Sequence, residues 1–506
     1  MAENVHHGEN KLGVIGATSY VVGNIIGSGI FITPTTILEQ TGSAGFSLLV
    51  WSAAGLLSML GALCYLELGT SIPESGGAYA YIHYVGWHPI AFAFMWVSVT
   101  MLYPGSTAIM AITFGKYAME AILPFHCIEE SYRIAPERLV AYVLLFSLTF
   151  LNLLPLQRYA AKLQIVISTF KLLALATITC TGFYYLIFRE GSEAFQNSFA
   201  DSDVTPKTVV LSLYAGLYTF SGWNLLNIGL EDARNPKRAL IVGQVGGSLL
   251  VTAIYVSTNV AYLAVLGKDG MLKSDAVAAT FSRKVLGNFA YAIPFIVGIV
   301  ICGSINSDIF GASRFSFAAA RKANLPSCMA MVNPESDSPR SAVIVQCVVT
   351  ILLSFIGNLE QLINYVTFGE WIQHAVTMIA IVWIRYKKIP VHSQAIRMPI
   401  VMHIIFFIIA TMLVVVPLID TPLIAIIGLA ITCSGFVVYY VFVWPSKLPT
   451  FLTIANEKTT ELSQILFNCV MDSQLIKIYD HRQEQRNRAA STSSSRLDYQ
   501  TFSERF

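Results

Sequence analysis

The chain has 506 residues, of which 55% are hydrophobic and only 12% are charged, and its mean hydropathy is +0.61. Soluble domains carry about 25% charged residues, so much of this protein's surface must face lipid rather than water. The net charge is only +2 and the basic residues are spread through connecting loops, which gives no sign of a nucleic-acid partner.

Twelve apolar segments follow one another along the chain, each long enough for a membrane-spanning helix of about 20 residues. We predict spans at 12–40, 44–71, 86–123, 138–156, 160–188, 207–231, 237–265, 287–319, 340–357, 359–385, 398–419 and 422–444. The predicted fold class is therefore an all-α polytopic membrane protein that lies in a lipid bilayer.

Polar segments flank the predicted twelve-helix domain at 12–444. Residues 1–11 form a short polar segment, and the tail at 445–506 is first mildly amphipathic and then Ser-rich, which is typical of a disordered segment. Basic residues concentrate in alternate loops, for example around Arg234 and Arg321. The positive-inside rule places these loops, and with an even number of spans both termini, in the cytoplasm.

The first predicted span contains a break, read "VGNIIGSGIFITP" from Val22 to Pro34, with three glycines in seven residues. Each glycine weakens a helix by about 1 kcal/mol relative to Ala. Unpaired backbone groups are costly in hydrocarbon, so a break survives only where it lines a cavity or meets a ligand. The sixth span is interrupted near "TFSGWN", from Thr219 to Asn224. A matched pair of broken spans is typical of a transporter binding site.

The two breaks together suit a zwitterion. The N–H groups that begin a half-helix favour an anion, and the carbonyls that end one favour a cation. A carboxylate would lie at Ser28, Gly29 and Ile30, and an amine at carbonyls near Ile25 and Tyr218. The alternative is that the glycines only allow close helix packing.

Ionisable and polar side chains lie deep in several spans. Lys171 has about ten apolar residues on each side, and a lysine at that depth marks a functional site. Glu370 lies in "YVTFGEWIQH", and a buried carboxyl must be neutral or paired. It therefore binds a polar group of a substrate, exchanges a proton, or forms a neutral hydrogen bond. We interpret Glu67, Asn306 and Asp308 as structural partners that face the bundle interior.

Several motifs resemble the L-type amino acid transporters, the light subunits of heteromeric transporters in the amino acid–polyamine–organocation superfamily. The similar stretches include "GNIIGSGIF", "ALCYLELGTSIPESGGAYAYI" (62–82), "LYAGLYTFSGWNLLNIGLED" (213–232) and "CGSINSDIFGASRFSFAAARKANLP" (302–326). The likeness runs from about residue 12 to 450. It implies a leucine-transporter-like fold with discontinuous helices 1 and 6, two inverted five-helix repeats at about 12–188 and 207–385, and helices 11–12 at about 398–444.

The resemblance also implies sodium-independent exchange of L-amino acids across the plasma membrane by alternating access. Lys171 would replace a bound sodium ion. The implied substrate-binding residues are Ile25, Ser28, Gly29, Ile30, Tyr218, Ser221, Trp223 and Asn224. An aromatic lining favours neutral, large or aromatic side chains. The alternatives are a proton-coupled transporter, in which Lys171 or Glu370 titrates, and an amino acid sensor that does not transport.

The sequence shows neither a nucleophile–base constellation nor metal-ligand spacing, so we expect no enzyme, cofactor or metal site. Cys127 follows the third span and is external by the predicted topology, where thiols tend to be oxidised. An odd external cysteine indicates either a bridge to another chain or a free thiol. The resemblance implies a bridge to a single-span glycosylated heavy subunit, and this chain itself has no N-x-[ST] acceptor.

Overall fold

The computed structural model describes residues 11–122, 134–189, 195–274, 277–287, 293–355, 359–420, 422–445, 449–472 and 476. Cys127 and the Ser-rich end of the tail therefore lie outside the described residues, and the predictions made for them stay predictions.

The described chain is almost entirely helical. The helices of its first part are α1 (Val14–Ile25), α2 (Gly29–Thr41), α3 (Ala44–Ser71), α4 (Gly77–Tyr84), α5 (His88–Val97), α6 (Tyr103–Ile122), α7 (Ile134–Asn152) and α8 (Ala160–Phe188). The next group is α9 (Pro206–Thr219), α10 (Leu225–Ile228), α11 (Pro236–Arg238), α12 (Gly247–Leu272), α13 (Val277–Leu286) and α14 (Ile293–Arg321). The last are α15 (Arg340–Leu353), α16 (Leu359–Lys387), α17 (Ile400–Asp420), α18 (Pro422–Val438) and α19 (Thr450–Phe467).

Short π-helical and extended segments complete the structure. The π-helical turns are Ser98–Leu102, Ala239–Gly246 and Tyr439–Val443. Two strands, β1 (Met331–Val332) and β2 (Val470–Met471), pair antiparallel with Met331 opposite Met471.

Eight helical stretches among the described residues are long and apolar enough to cross a membrane, and the bent pair of α1 and α2 brings the number to nine. The prediction of a polytopic helical membrane protein is therefore confirmed. Helices also lie over the remaining predicted spans, but α9 and α15 have only 14 residues each. Twelve spans and the inverted repeat stay predictions.

The ends of several helices follow from local sequence. Ser43 and Thr205 precede α3 and α9, and each side-chain hydroxyl accepts a hydrogen bond from a backbone N–H in the first turn, Phe46 N at 3.3 Å and Thr208 N at 3.2 Å. Helix α2 ends at Thr41, and the next residue, Gly42, has φ = 68°, a conformation that suits glycine at a helix C-terminus.

The long helices pack closely around α1. Helix α1 contacts α8 and α14, while α12 contacts α8 and α3. Small residues allow this approach: a Cβ on Gly182 of α8 would lie 2.1 Å from the Cβ of Ala261 on α12. The result is a bundle in which α1 packs against α8, α12 and α14.

The first part of the tail is bound to the helical bundle. Asn456 of α19 accepts a hydrogen bond from the backbone N–H of Ser327 at 3.0 Å, and Arg340 donates to the carbonyl of Phe467 at 2.9 Å. Strand β2 then pairs with β1 in the connection between α14 and α15. The sequence predicted an amphipathic segment here but not this attachment.

Candidate functional site

Both predicted helix breaks are present. Helix α1 ends at Ile25 and α2 begins at Gly29 with a bend of 41°. Helix α9 ends at Thr219, and α10 begins at Leu225 after a non-helical turn. The predictions of discontinuity at these two places are confirmed.

The two breaks contact each other through glycines. A Cβ on Gly29 would lie 2.7 Å from Cγ2 of Thr219, and the Thr219 hydroxyl is 2.8 Å from the hydroxyl of Thr33. Gly222 has φ = 93°, and a Cβ there would lie 2.5 Å from the side-chain amide of Asn24. Larger residues would separate the breaks, so the glycines serve both the unwinding and the contact.

The end of α1 is bound by a buried ammonium group. Lys171 is fully buried, and its Nζ donates hydrogen bonds to the carbonyl oxygens of Gly23 at 2.8 Å and Ile26 at 2.6 Å, and to Ser304 Oγ at 2.9 Å. Among the described residues, no carboxylate lies within 4.0 Å of this ammonium. Its positive charge therefore compensates the partial negative charge at the C-terminal end of α1.

The carbonyls expected to bind an amine already accept hydrogen bonds. The Tyr255 hydroxyl donates to the carbonyl of Ile25 at 2.8 Å, and Ser221 N donates to the carbonyl of Tyr218 at 3.1 Å. The Ile25 carbonyl also accepts from the backbone N–H of Gly27 at 2.9 Å, so both of its lone pairs are used, and an amine would have to replace one of these bonds. No sequence signal pointed to Tyr255, because its contact depends on how α12 packs against α1.

The start of α2 carries a partial positive charge, opposite to that at the end of α1. Ser28, the residue before the helix, has helical backbone angles, and its side chain makes no capping hydrogen bond. The first N–H groups of a helix have no partner within the helix, and they carry partial positive charge. Ser28 and Gly29 both line a cavity, so this end is available to an anion.

The cavity lies between the two breaks and is closed by three further helices. Its described lining is Asn24, Ile25, Gly27, Ser28, Gly29, Ser106, Met110, Tyr218, Thr219, Ser221, Gly222, Asp308, Val366 and Glu370. Ser106 of α6 donates to Asp308 Oδ2 of α14 at 2.7 Å. Ser221 in the second break lies 3.0 and 3.1 Å from the two carboxylate oxygens of Glu370 on α16.

Some of the predicted substrate-binding residues line this cavity and others do not. Those that do are Ile25, Ser28, Gly29, Tyr218 and Ser221, and the predicted pocket residue Glu370 joins them. Ile30, Trp223 and Asn224 are not among the lining residues. Ile30 is fully buried, and the Trp223 ring packs against Tyr65 and His374 at centroid distances of 5.0 and 5.2 Å.

Of the three residues interpreted from the sequence as structural partners, two bond to other side chains and the third lines the cavity. Glu67 forms an ion pair with Arg385, and Asn306 donates to Gln164 at 2.8 Å, as expected of structural partners. Asp308 instead lines the cavity. A charged residue within a span was the available signal for it, but spacing does not tell which way the residue faces.

Ion pairs close the end of the bundle that the sequence predicts to be cytoplasmic. Arg314 pairs with Asp232 at 3.0 Å, and Arg321 makes two contacts of 2.7 Å with Glu231. The backbone N–H of Leu12 also donates to the carbonyl of Asp232 at 2.7 Å. These bonds tie the segment before α1 and the segment after α10 to α14.

Comparisons with known proteins agree with this architecture. The family model described as amino acid permease matches residues 12–444. Amino acid transporter protein 6 of Caenorhabditis elegans is 40% identical over 466 residues, covering 91% of this chain and 89% of the relative.

Two human proteins are also similar. The cystine/glutamate transporter is 34% identical over 462 residues, covering 91% of both chains. The large neutral amino acids transporter small subunit 2 is 35% identical over 463 residues, covering 90% of this chain and 84% of the relative. The match of the family model to most of the chain, together with these likenesses, shows that the chain belongs to the amino acid permease family.

Proposed function

We propose that this chain is a sodium-independent amino acid exchanger that works by alternating access in the plasma membrane, with both termini in the cytoplasm. The observation that carries the proposal is the contact of Lys171 Nζ with the carbonyls of Gly23 and Ile26 in the first break. A fixed ammonium at this position supplies the charge that a coupling cation would bring. Transport then needs no sodium ion.

Recognition of the substrate would rest on backbone groups common to all amino acids. The N-terminal end of α2 at Ser28 and Gly29 suits the α-carboxylate, and the partial negative charge at the C-terminal end of α1 near Ile25 suits the α-amine. For the side chain, we propose neutral substrates that are large or aromatic. Apolar contributions of Tyr218 and Met110 to the cavity wall support this.

Reconstitution of the full chain in liposomes tests this function. We expect uptake of labelled leucine to rise when the liposomes contain unlabelled leucine, and to be equal in sodium and choline buffers. Protein-free liposomes are the control. Absence of stimulation by internal leucine would contradict exchange, and sodium-dependent uptake would contradict the role given to Lys171.

Proton-coupled transport is a second candidate, favoured by a polar chain beside the cavity. Glu370 Oε1 lies 3.7 Å from His374 Nε2, and His374 Nδ1 lies 2.7 Å from the hydroxyl of Tyr65. An inward proton gradient would drive leucine into empty liposomes in this case, whereas an exchanger would show no such accumulation. A sensor would bind leucine without any uptake.

A heavy subunit linked through Cys127 is the proposed partner. One human relative is by its name a small subunit. The parent and Cys127→Ser, expressed in a cell line that makes single-span heavy subunits, are compared on a non-reducing gel. We expect a band at the mass of a heterodimer for the parent alone, and the same band in the variant would exclude this cysteine.

A further inference from the structure

Two carboxylates on different helices line the cavity. Asp308 belongs to α14 and is 9% exposed, and Glu370 belongs to α16 with a side chain that is 24% exposed. Neither belongs to α1 or α2, whose backbone groups suit the α-carboxylate and α-amine. Both carboxylates are thus placed to meet the remaining part of a substrate, its side chain.

Each carboxylate has hydrogen-bonding capacity left. Ser106 donates to Asp308 Oδ2, and Oδ1 has no hydrogen-bond partner among the described residues. Ser221 has a single hydroxyl proton, so its contacts with the two oxygens of Glu370 amount to one donated bond. An ionised carboxylate has about four acceptor positions. Most of these positions are open to a donor in the cavity.

Little positive charge in the described structure compensates the two acids. Among the described lining residues there is no Lys or Arg. The ammonium of Lys171 is occupied by Gly23, Ile26 and Ser304. His374 lies 3.7 Å from Glu370 and compensates it only when protonated. A poorly compensated carboxylate in a low-dielectric site is unfavourable as a bare anion, so it either takes up a proton or binds a cationic partner.

Resting on the proposed exchange function, we propose that the cavity also accepts amino acids whose side chain carries a positive charge, and that Asp308 and Glu370 bind that charge. These two residues then determine the range of side chains, while the helix breaks bind the α-groups. Neutral amino acids use the same cavity without the ionic contact.

The test compares labelled lysine with labelled leucine in exchange against internal leucine. The full-length parent, Asp308→Asn and Glu370→Gln are reconstituted in liposomes, with Glu457→Gln as the matched control because Glu457 is an exposed carboxylate on α19. We expect the parent to exchange both amino acids. Each cavity variant should lower the lysine-to-leucine uptake ratio by at least about tenfold, the effect of removing one partner of a desolvated charge pair. The Glu457 variant should keep the parent ratio.

Three results would overturn the inference. A parent that exchanges leucine but is not inhibited by excess lysine selects neutral side chains, and the proposed function stands without the inference. A parent that exchanges no amino acid overturns both. If both cavity variants keep the parent's lysine-to-leucine uptake ratio, Asp308 and Glu370 do not bind the charge of the side chain.

A binding measurement covers variants that lose all exchange. Lysine should stabilise the detergent-solubilised parent against heat but not Asp308→Asn, while leucine should stabilise both. Equal stabilisation of the variant by lysine and leucine would also count against the assignment.

Discussion

At the residue scale, the main feature is a buried lysine whose ammonium group donates all its hydrogen bonds to other groups of the protein. Lys171 makes its hydrogen bonds to Gly23, Ile26 and Ser304, so it joins α8, α1 and α14 at one point. Without it, the carbonyls of Gly23 and Ile26 would share only the Ser304 hydroxyl, 3.2 Å from each, as a side-chain donor, and unsatisfied polar groups are costly in hydrocarbon. A single side chain therefore supports both the break and the helix contacts around it.

Replacing Lys171 with methionine tests this role. The substitution keeps an unbranched apolar chain but removes three donated hydrogen bonds, and each buried acceptor left unpaired costs about 1–3 kcal/mol. We expect leucine exchange by Lys171→Met to fall at least about tenfold, the equivalent of 1.4 kcal/mol. Lys162→Met is the matched control because Lys162 is exposed on the same helix. Parent-level exchange by Lys171→Met would show that the ammonium is dispensable.

At the element scale, two interrupted helices act as one unit. Gly29 lets α2 approach Thr219, and Gly222 lets the second break approach Asn24. Each contact needs a residue without a side chain, and Gly222 also needs a positive φ. The close-packing alternative considered from the sequence is therefore part of the same arrangement as the cavity.

Gly29→Ala should disturb this unit. The added Cβ would meet Cγ2 of Thr219 at 2.7 Å, and overpacking of this kind costs about 1–3 kcal/mol. We expect a lower melting temperature in detergent and reduced exchange. Gly16→Ala in α1 is the control, since its Cβ would lie at an ordinary 3.5 Å from Leu12. Equal melting temperatures for both variants would be inconsistent with the close contact.

At the scale of the whole molecule, the proposed alternating-access cycle gives the ion pairs at the predicted cytoplasmic end a role, because they would hold the cavity closed on that side. Arg321 is buried to 9% exposure of its side chain and meets Glu231, which is 39% exposed. Alternating access requires such contacts to break and re-form as the cavity opens to each side in turn. The attachment of α19 and β2 to the connection after α14 adds the tail to this closed end.

Arg321→Gln should shift the molecule away from this closed state. The bidentate contact is charge-assisted, and after discounting for the exposure of Glu231 we expect a loss of about 1–2 kcal/mol. Labelling of a cysteine introduced at Ser28 by a membrane-impermeant thiol reagent in inside-out vesicles should rise several-fold. The exposed pair of Lys268 and Asp201 provides the control Lys268→Gln, for which labelling should stay at the parent level. Unchanged labelling in Arg321→Gln would mean that the Arg321–Glu231 pair does not keep the cavity closed on the predicted cytoplasmic side.

Local patterns were sufficient to predict the fold class and both helix breaks. Long apolar runs must become helices in a bilayer, since only helices satisfy their own backbone there. Clustered glycines mark the places where that regularity fails, so Ser28 and Gly29 could be assigned to the cavity region from sequence, and the family resemblance implied Ser221. Trp223 and Asp308 could not be assigned in this way. Their spacing says that they lie within a span, but the rotation of the span decides which of them faces the cavity.

The amino-acid sequence by itself determined that this protein is a helical membrane protein with two interrupted spans, because hydropathy and glycine content act through neighbouring residues. Only the tertiary structure decided that Lys171 bonds to the end of α1, that Asp308 and Glu370 share a cavity, and that α19 and β2 attach to the bundle. The physical reason is that these residues lie far apart in the sequence, and their geometry depends on how whole helices rotate and pack.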